Sequence, residues 1–458
     1  MESAFLICSA VYLLIILALS LYAGRQVKNE EDFIVAGRRL NVPLASVTLL
    51  ATWFGAGTML TASDEVFSTG LRVTALEPFG AGICLWIAGR YLAMPLWKHK
   101  PLTLADFYRS RFGVVAEKLS VWLTVPGFIG WIAVQLAAAA GIIGLYLHLS
   151  PWICVLIITA IATVYTLSGG MWSVTLTDAF QMVIVVIGLF ALSYTVLHQI
   201  EGVHWLGEWS LAMAMVPPAK KQMVPNELSQ MLPWLNLWVV GALGNLPGQD
   251  LAQRILCAKS PRVAQKACYI SSLAYVVLGA IPIFLALSAT LVFPDTFTQP
   301  IIPALAQRFL SPWFSLLFAF AILSAVLSTI DSALLATSTL IARNGFSEPG
   351  HGLGRYRRTV FIVALLSAFL AIVTPEMFTL LEASYASTSV GLLAPLSFGL
   401  LSGQGNGKSA VFAMLGGAGL WIIVRVFFSE APAELISLPG SFAIYALHAR
   451  RARHSIHH

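Results

Sequence analysis

Charge is what this sequence has least of. Of 458 residues only 10% are Asp, Glu, Lys or Arg, while 58% are apolar; a soluble globular protein carries about a quarter charged residues. The 27 basic and 21 acidic side chains leave a net charge of +6, spread too thinly through apolar sequence to build the basic face that nucleic acid requires. Five cysteines, Cys8, Cys84, Cys154, Cys257 and Cys268, stand singly, with no CxxC pair and no histidine at ligand spacing. Neither a disulfide framework nor a transition-metal site is indicated. HExxH, GxSxG and P-loop patterns are missing too, which leaves an enzyme without a reaction centre.

In place of charge the sequence has long apolar runs. Stretches near 5–23, 44–68, 72–97, 118–147, 151–168, 172–198, 232–256, 265–293, 311–342, 359–374, 377–402, 409–428 and 433–448 predict an all-α membrane protein of about 13 transmembrane helices, at about 20 residues per crossing. The first run is preceded by Glu2 and followed by Arg25 and Lys28, the reverse of a secretory signal. It is therefore expected to be retained with the N-terminus outside, and an odd number of crossings puts the C-terminus in the cytoplasm. Threaded this way, 21 of the 27 basic residues fall on inner segments and only Arg72, Lys220, Lys221 and Arg308 on outer ones. The positive-inside rule asks for that bias in a multi-pass protein of the cell membrane. The longest polar piece, roughly 201–231, is outside and too short for a domain, so the function is expected within one transmembrane domain spanning 1–458.

Two of the spans are poor helices. The second contains Ala51-Thr52-Trp53-Phe54-Gly55-Ala56-Gly57 and the seventh contains Gly241, Gly244, Pro247 and Gly248; glycine costs about 1 kcal/mol and proline about 3 kcal/mol relative to alanine in a helix interior. Glycine also serves close helix packing. The placement of the two breaks five spans apart, as two halves of an inverted repeat would place them, favours unwound segments at a transporter's central site. Unwound backbone offers carbonyl oxygens to a cation. In the ninth span Ser324, Ser328 and Ser332 recur every fourth residue, with Thr329 beside Ser328. That ladder either bonds back to its own helix or supplies the oxygen ligands that a hard cation takes. Asp331, next to it, costs roughly 2.5–3.5 kcal/mol at a bilayer centre and is expected to have a partner or a wet surface.

FIVAGRRL (33–40), TLADFYRSRFG (103–113), YTLSGGMWSVTLTDAFQ (165–181), QDLAQRILCAKS (249–260) and LSTIDSALLATSTLIAR (327–343) together resemble the sodium:solute symporter family, and within it the high-affinity choline transporter branch. The resemblance implies a LeuT-type fold: two inverted five-helix repeats, here about 44–200 and 232–402, with peripheral helices at 5–23, 409–428 and 433–448. It also implies sodium as coupling ion, held by the carbonyls of Ala51, Phe54 and Ala325 and the hydroxyls of Ser328 and Thr329. Asp178 matches an acidic position near that sodium, or else caps a helix end.

For the small-molecule solute, Trp53 and Trp131 match aromatic positions that the choline branch uses around a quaternary ammonium, where each good cation–aromatic contact gains about 0.5–2 kcal/mol. The branch's third tryptophan is replaced by Gly248, which is expected to open the pocket. Glu77 matches a glutamate that binds sugar hydroxyls in the bacterial galactose branch. Gln135, one turn from Trp131, and Asn245 and Gln249, which flank the second break, either contact solute or bond between helices. Tyr385 lies in a hydroxyl-rich stretch that forms part of an outer gate or a polar helix interface. The expected function is sodium-coupled import of an organic cation such as choline or a betaine; the alternatives are a sugar, amino acid or carboxylate symporter, or a non-transporting solute sensor.

Overall fold

The computed structural model describes residues 1–199, 214–346, 353–374, 377–428 and 431–454. The expected outer piece at 201–231 is thus described only from 214, and the Pro375 boundary between two expected spans lies outside the described residues. Among the described residues everything regular is helical apart from one isolated bridge between Leu40 and Ala258. In chain order the helices are α1 (Glu2–Gly24), α2 (Glu30–Val35), the bent pair α3 (Val42–Trp53) and α4 (Gly57–Thr69), α5 (Leu71–His99), α6 (Leu104–Phe112), α7 (Val114–Leu147) and α8 (Pro151–Gln199). They continue with α9 (Leu228–Leu243), α10 (Gln249–Cys257), α11 (Pro261–Ala289), α12 (Ile301–Phe309), α13 (Pro312–Leu340), α14 (Leu353–Val373), α15 (Met377–Ser397), α16 (Gly407–Phe427) and α17 (Ala433–His454).

Among the described residues nine helices are long and apolar enough to cross a membrane, ten with the bent pair, against the 13 or so expected. The difference has three sources. Helix α8 is a single run of 49 residues, about 74 Å at 1.5 Å per residue and more than twice a bilayer core. It breaks at Gly170, whose φ of 53° and ψ of −143° are not helical, so one element holds two of the expected spans. Helices α9 and α10 have 16 and 9 residues, too short singly. Helix α17 begins with Glu434 and ends in Arg450, Arg451 and Arg453, which lowers its apolar character.

Side-chain ties sort the helix ends into two sets. At one end Arg343, just past α13, bonds Glu30 and Asp106, Lys118 bonds the Asn344 carbonyl, and Arg38 bonds the carbonyls of Leu256, Lys100 and Pro101. At the other, Arg72 reaches Gln230 and Gln222, Lys220 reaches Asp295 and Asp64 accepts from the Ile301 amide. These sets are the inner and outer segments of the sequence reading, with one correction: Arg254, counted among inner-face charges, is buried on α10.

Both interruptions are present. Helix α3 stops at Trp53, and the chain resumes as α4 at Gly57 with a bend of 58°. A β-carbon on Gly55 would collide with Thr329 Oγ1 and stand 2.6 Å from Gln135 Oε1, so only glycine allows this approach. Between α9 and α10, residues 244–248 form turns, with Leu246 N to Leu243 O at 3.2 Å and Gly248 N to Asn245 O at 3.0 Å, and Pro247 has no N–H to continue a helix.

Gly170→Ala tests the α8 break. Its β-carbon would stand 2.5 Å from the Phe33 carbonyl in a left-handed conformation, so melting in detergent should fall by the equivalent of about 1–3 kcal/mol. Gly141→Ala, whose β-carbon meets nothing within 4 Å, should melt no lower than the parent.

Candidate functional site

Helix α13 is buried along nearly its whole length, so its hydroxyls face protein and not lipid. Ser328 Oγ donates to Ala325 O at 2.8 Å and lies 3.1 Å from Ala51 O; Thr329 Oγ1 lies 3.1 Å from Ala325 O and 3.5 Å from Ala51 O. The hydroxyls thus bond back to their own helix and also reach the carbonyl at the first break. Four of the five sodium ligands implied by the resemblance gather here as oxygens. Phe54, the fifth, is the buried C-cap residue of α3. Among the described residues nothing donates to its carbonyl.

Asp178 lies one turn of α3 away from that cluster. Its carboxylate accepts from Thr48 Oγ1, and Oδ1 is buried without a hydrogen bond. Thr52 continues the line, donating to Thr48 O at 2.7 Å and lying 3.3 Å from Ser332 Oγ. Ser332 also meets Arg254 Nη2 at 2.5 Å. Asp331 is fully buried on α13 beside Ser332. Its nearest charges are Asp178 and Arg254.

Around the first break the solute candidates converge. Trp53 donates its indole N–H to Asp250 Oδ2 at 2.6 Å and sets its ring edge-on to Tyr275. Tyr275 OH lies 3.1 Å from Trp53 O and 2.5 Å from Glu77 Oε2. Glu77 also accepts from Thr58 at 3.1 Å and from Tyr385 at 3.1 Å. This one carboxylate thus joins α4, α5, α11 and α15. Trp131 stands edge-on to Tyr385 with ring centres 6.3 Å apart. Gln135 accepts from the Ala56 amide at 2.8 Å, and its Nε2 is buried and unpaired.

At the second break a β-carbon on Gly248 would stand 2.6 Å from Asp250 Oδ1 and 2.9 Å from Asn245 O, so the aspartate that holds Trp53 lies close against this glycine. Gln249 turns away from the break and accepts from the Leu104 amide at 2.7 Å, completing the start of α6. Asn245 is half-buried and contributes its carbonyl to the turn.

Sequence reasoning missed Asp250, Arg254, Tyr275 and Thr58. The i, i+4 spacing of Asp250 and Arg254 on one helix was a readable sign; a lone tyrosine in an apolar helix carried none. Around the breaks four buried carboxyl groups, Glu77, Asp178, Asp250 and Asp331, accompany one buried guanidinium, that of Arg254.

The sodium:solute symporter family model matches residues 33–417. The high affinity choline transporter 1 of Homo sapiens is 26% identical over 418 residues, 82% of this chain and 69% of that protein. Its Drosophila melanogaster counterpart is 26% identical over 404 residues, 81% of this chain and 62% of that protein. The sodium/glucose cotransporter of Vibrio parahaemolyticus is 25% identical over 454 residues, 89% of this chain and 82% of that protein. Among solved structures, the substrate-bound outward-open state of a Na+-coupled sialic acid symporter matches with a TM-score of 0.83 over 98% of this chain and 97% of that one, at 15% identity. A nucleobase-cation-symport-1 family transporter gives 0.63 over 93% and 95%, at 14% identity. These likenesses establish the helical fold of LeuT-type transporters. With the family model covering most of its length, the chain belongs to the sodium:solute symporter family: it is a sodium-coupled transporter and not an enzyme.

Proposed function

We propose that the protein imports a small organic cation, such as choline or a betaine, together with sodium across the plasma membrane by alternating access. In this reading about 13 spans form two inverted repeats, 44–200 and 232–402, flanked by peripheral helices 5–23, 409–428 and 433–448. The N-terminus is outside and the C-terminus cytoplasmic, and the end rich in basic side chains faces the cytoplasm.

The observation that carries the reading is the convergence of Ser328 and Thr329 on the Ala51 carbonyl at the first break. Sodium is drawn inward by a potential worth about 2.3 kcal/mol per charge per 100 mV. It is held by Ala51, Phe54, Ala325, Ser328 and Thr329, joining the first broken helix to α13, with Asp178 one turn away as a countercharge. The solute sits between the breaks against Trp53, Trp131 and Tyr385, near Gln135, Asn245 and Gly248, while Gln249 next to the second break is engaged by the Leu104 amide. Glu77 favours a cation over a sugar, because its oxygens already accept from Thr58, Tyr275 and Tyr385. It supplies charge to the site while three of its roughly four acceptor positions are taken.

Two measurements test the ion and the solute separately. In proteoliposomes Ser328→Ala/Thr329→Ala should raise the sodium concentration for half-maximal uptake at least about tenfold, the loss of two oxygen contacts at about 0.7 kcal/mol or more each; unchanged sodium dependence would sink the ion site. In a thermal-shift screen with sodium present, choline or a betaine should stabilise the parent more than galactose or pantothenate does. Trp53→Leu should abolish that shift while leaving the sodium-only shift in place.

A further inference from the structure

The outer halves of the broken helices are both tethered, by different means. Helix α4 is held where Asp64 accepts from the Ile301 amide at 2.8 Å. Helix α9 is held by the peripheral helices: Asn236 donates its Nδ2 to Glu434 and accepts from the Leu435 amide at 3.0 Å. Glu434 is nearly fully buried and also accepts from Trp421 Nε1 at 2.6 Å and from Arg425 Nη2 at 3.1 Å. The same Nη2 reaches Glu382 on α15 at 3.1 Å. One guanidinium therefore ties α9 and α15 to a common point at the outer end. Glu382 is three residues from Tyr385 on α15, and residues at that spacing share a helix face. Tyr385 is the side chain that reaches Glu77 and leans on Trp131.

We infer that Arg425 is a positioning residue of the outer gate, which sets how readily the outer half of α15 carries Tyr385 over the solute site. This rests on the transport reading above. Two features support a part that rearranges over a fixed strut. Burying an ion pair is a poor source of stability, since desolvation cancels much of the attraction, and its best-attested use is to fix one arrangement against another. Arg425 also meets both carboxylates through a single nitrogen, while its Nε is buried with no partner. A guanidinium normally engages a carboxylate through two parallel N–H groups, so a tighter pairing with Glu382 or with Glu434 is open to it. Shifting between them moves α15 relative to α9.

The test uses purified full-length protein in nanodiscs and a cysteine placed at Ser384, beside Tyr385 and nearly buried. The rate of its reaction with a maleimide is followed by peptide mass, which separates it from the five native cysteines and needs no knowledge of the solute. Arg425→Gln should speed labelling at least about fivefold, the low end of site-to-site coupling, and Arg425→Lys by less. Glu382→Gln should act like Arg425→Gln, with the double variant no faster than either single one. Equal rates in parent and variants, each eluting as a monodisperse particle, overturn the inference, and so do additive effects. Should Arg425→Gln fail to fold, Glu382→Gln and Arg425→Lys decide alone. In uptake assays the same variants should raise KM for choline and leave the sodium-induced thermal shift unchanged. Absence of choline uptake in the parent counts against the solute assignment and leaves the labelling result standing.

Discussion

Inside hydrocarbon no water meets an unpaired amide or carbonyl, and each one left bare costs several kcal/mol. A helix that stops and restarts within the membrane must therefore bring other partners to its freed groups, and this constraint organises the centre of the molecule. At the first break the Ala56 amide goes to Gln135 on α7, the Trp53 carbonyl to Tyr275 on α11, and the Ala51 carbonyl to Ser328 and Thr329 on α13. Three neighbouring helices are thus committed to one interruption of five residues or fewer. In the proposed function the polar side chains that solve the backbone problem also line the site for ion and solute.

Glu77 extends the same logic from backbone to charge. A buried carboxylate needs donors, and Thr58, Tyr275 and Tyr385 supply them from three separate helices. Tyr275 serves both the carboxylate and the Trp53 carbonyl. Any movement of α15 that withdraws Tyr385 therefore changes the solvation of Glu77, which links an outer element to the first break through a group at the site itself.

Features that stand out against a helix were legible in the sequence, and features that complete a helix were not. Gly55 and Gly57, or Pro247 and Gly248, break a periodic pattern, so both interruptions could be read directly; the four-residue repeat of Ser324, Ser328 and Ser332 was legible for the same reason. The basic residues marked the ends of the bundle because loops at one face collect them. Tyr275, by contrast, sits in an apolar helix where one more ring changes no pattern, and its role arises from three groups over a hundred residues away in sequence. Arg254 looked like an inner-loop charge because nothing in a single chain says which side of a short helix is covered. Gln249 follows the break directly, and of the two roles open to it the bond between helices is the one seen: its side chain accepts from the amide of Leu104 at the start of a different helix.

The replacement at Gly248 changes what stands beside Trp53. A missing tryptophan suggests a larger cavity. Here the absence of a β-carbon instead lets Asp250 come close to the turn, where its carboxylate takes the Trp53 indole. One aromatic ring is exchanged for a carboxylate placed against Trp53, one of the two that remain. A ring attracts a cation through its quadrupole, worth about 2 kcal/mol or more when desolvated, whereas a buried carboxylate acts through its charge. In the proposed function the Asp250 carboxylate beside Trp53 adds charge where the choline branch has its third ring, in keeping with an organic cation as solute.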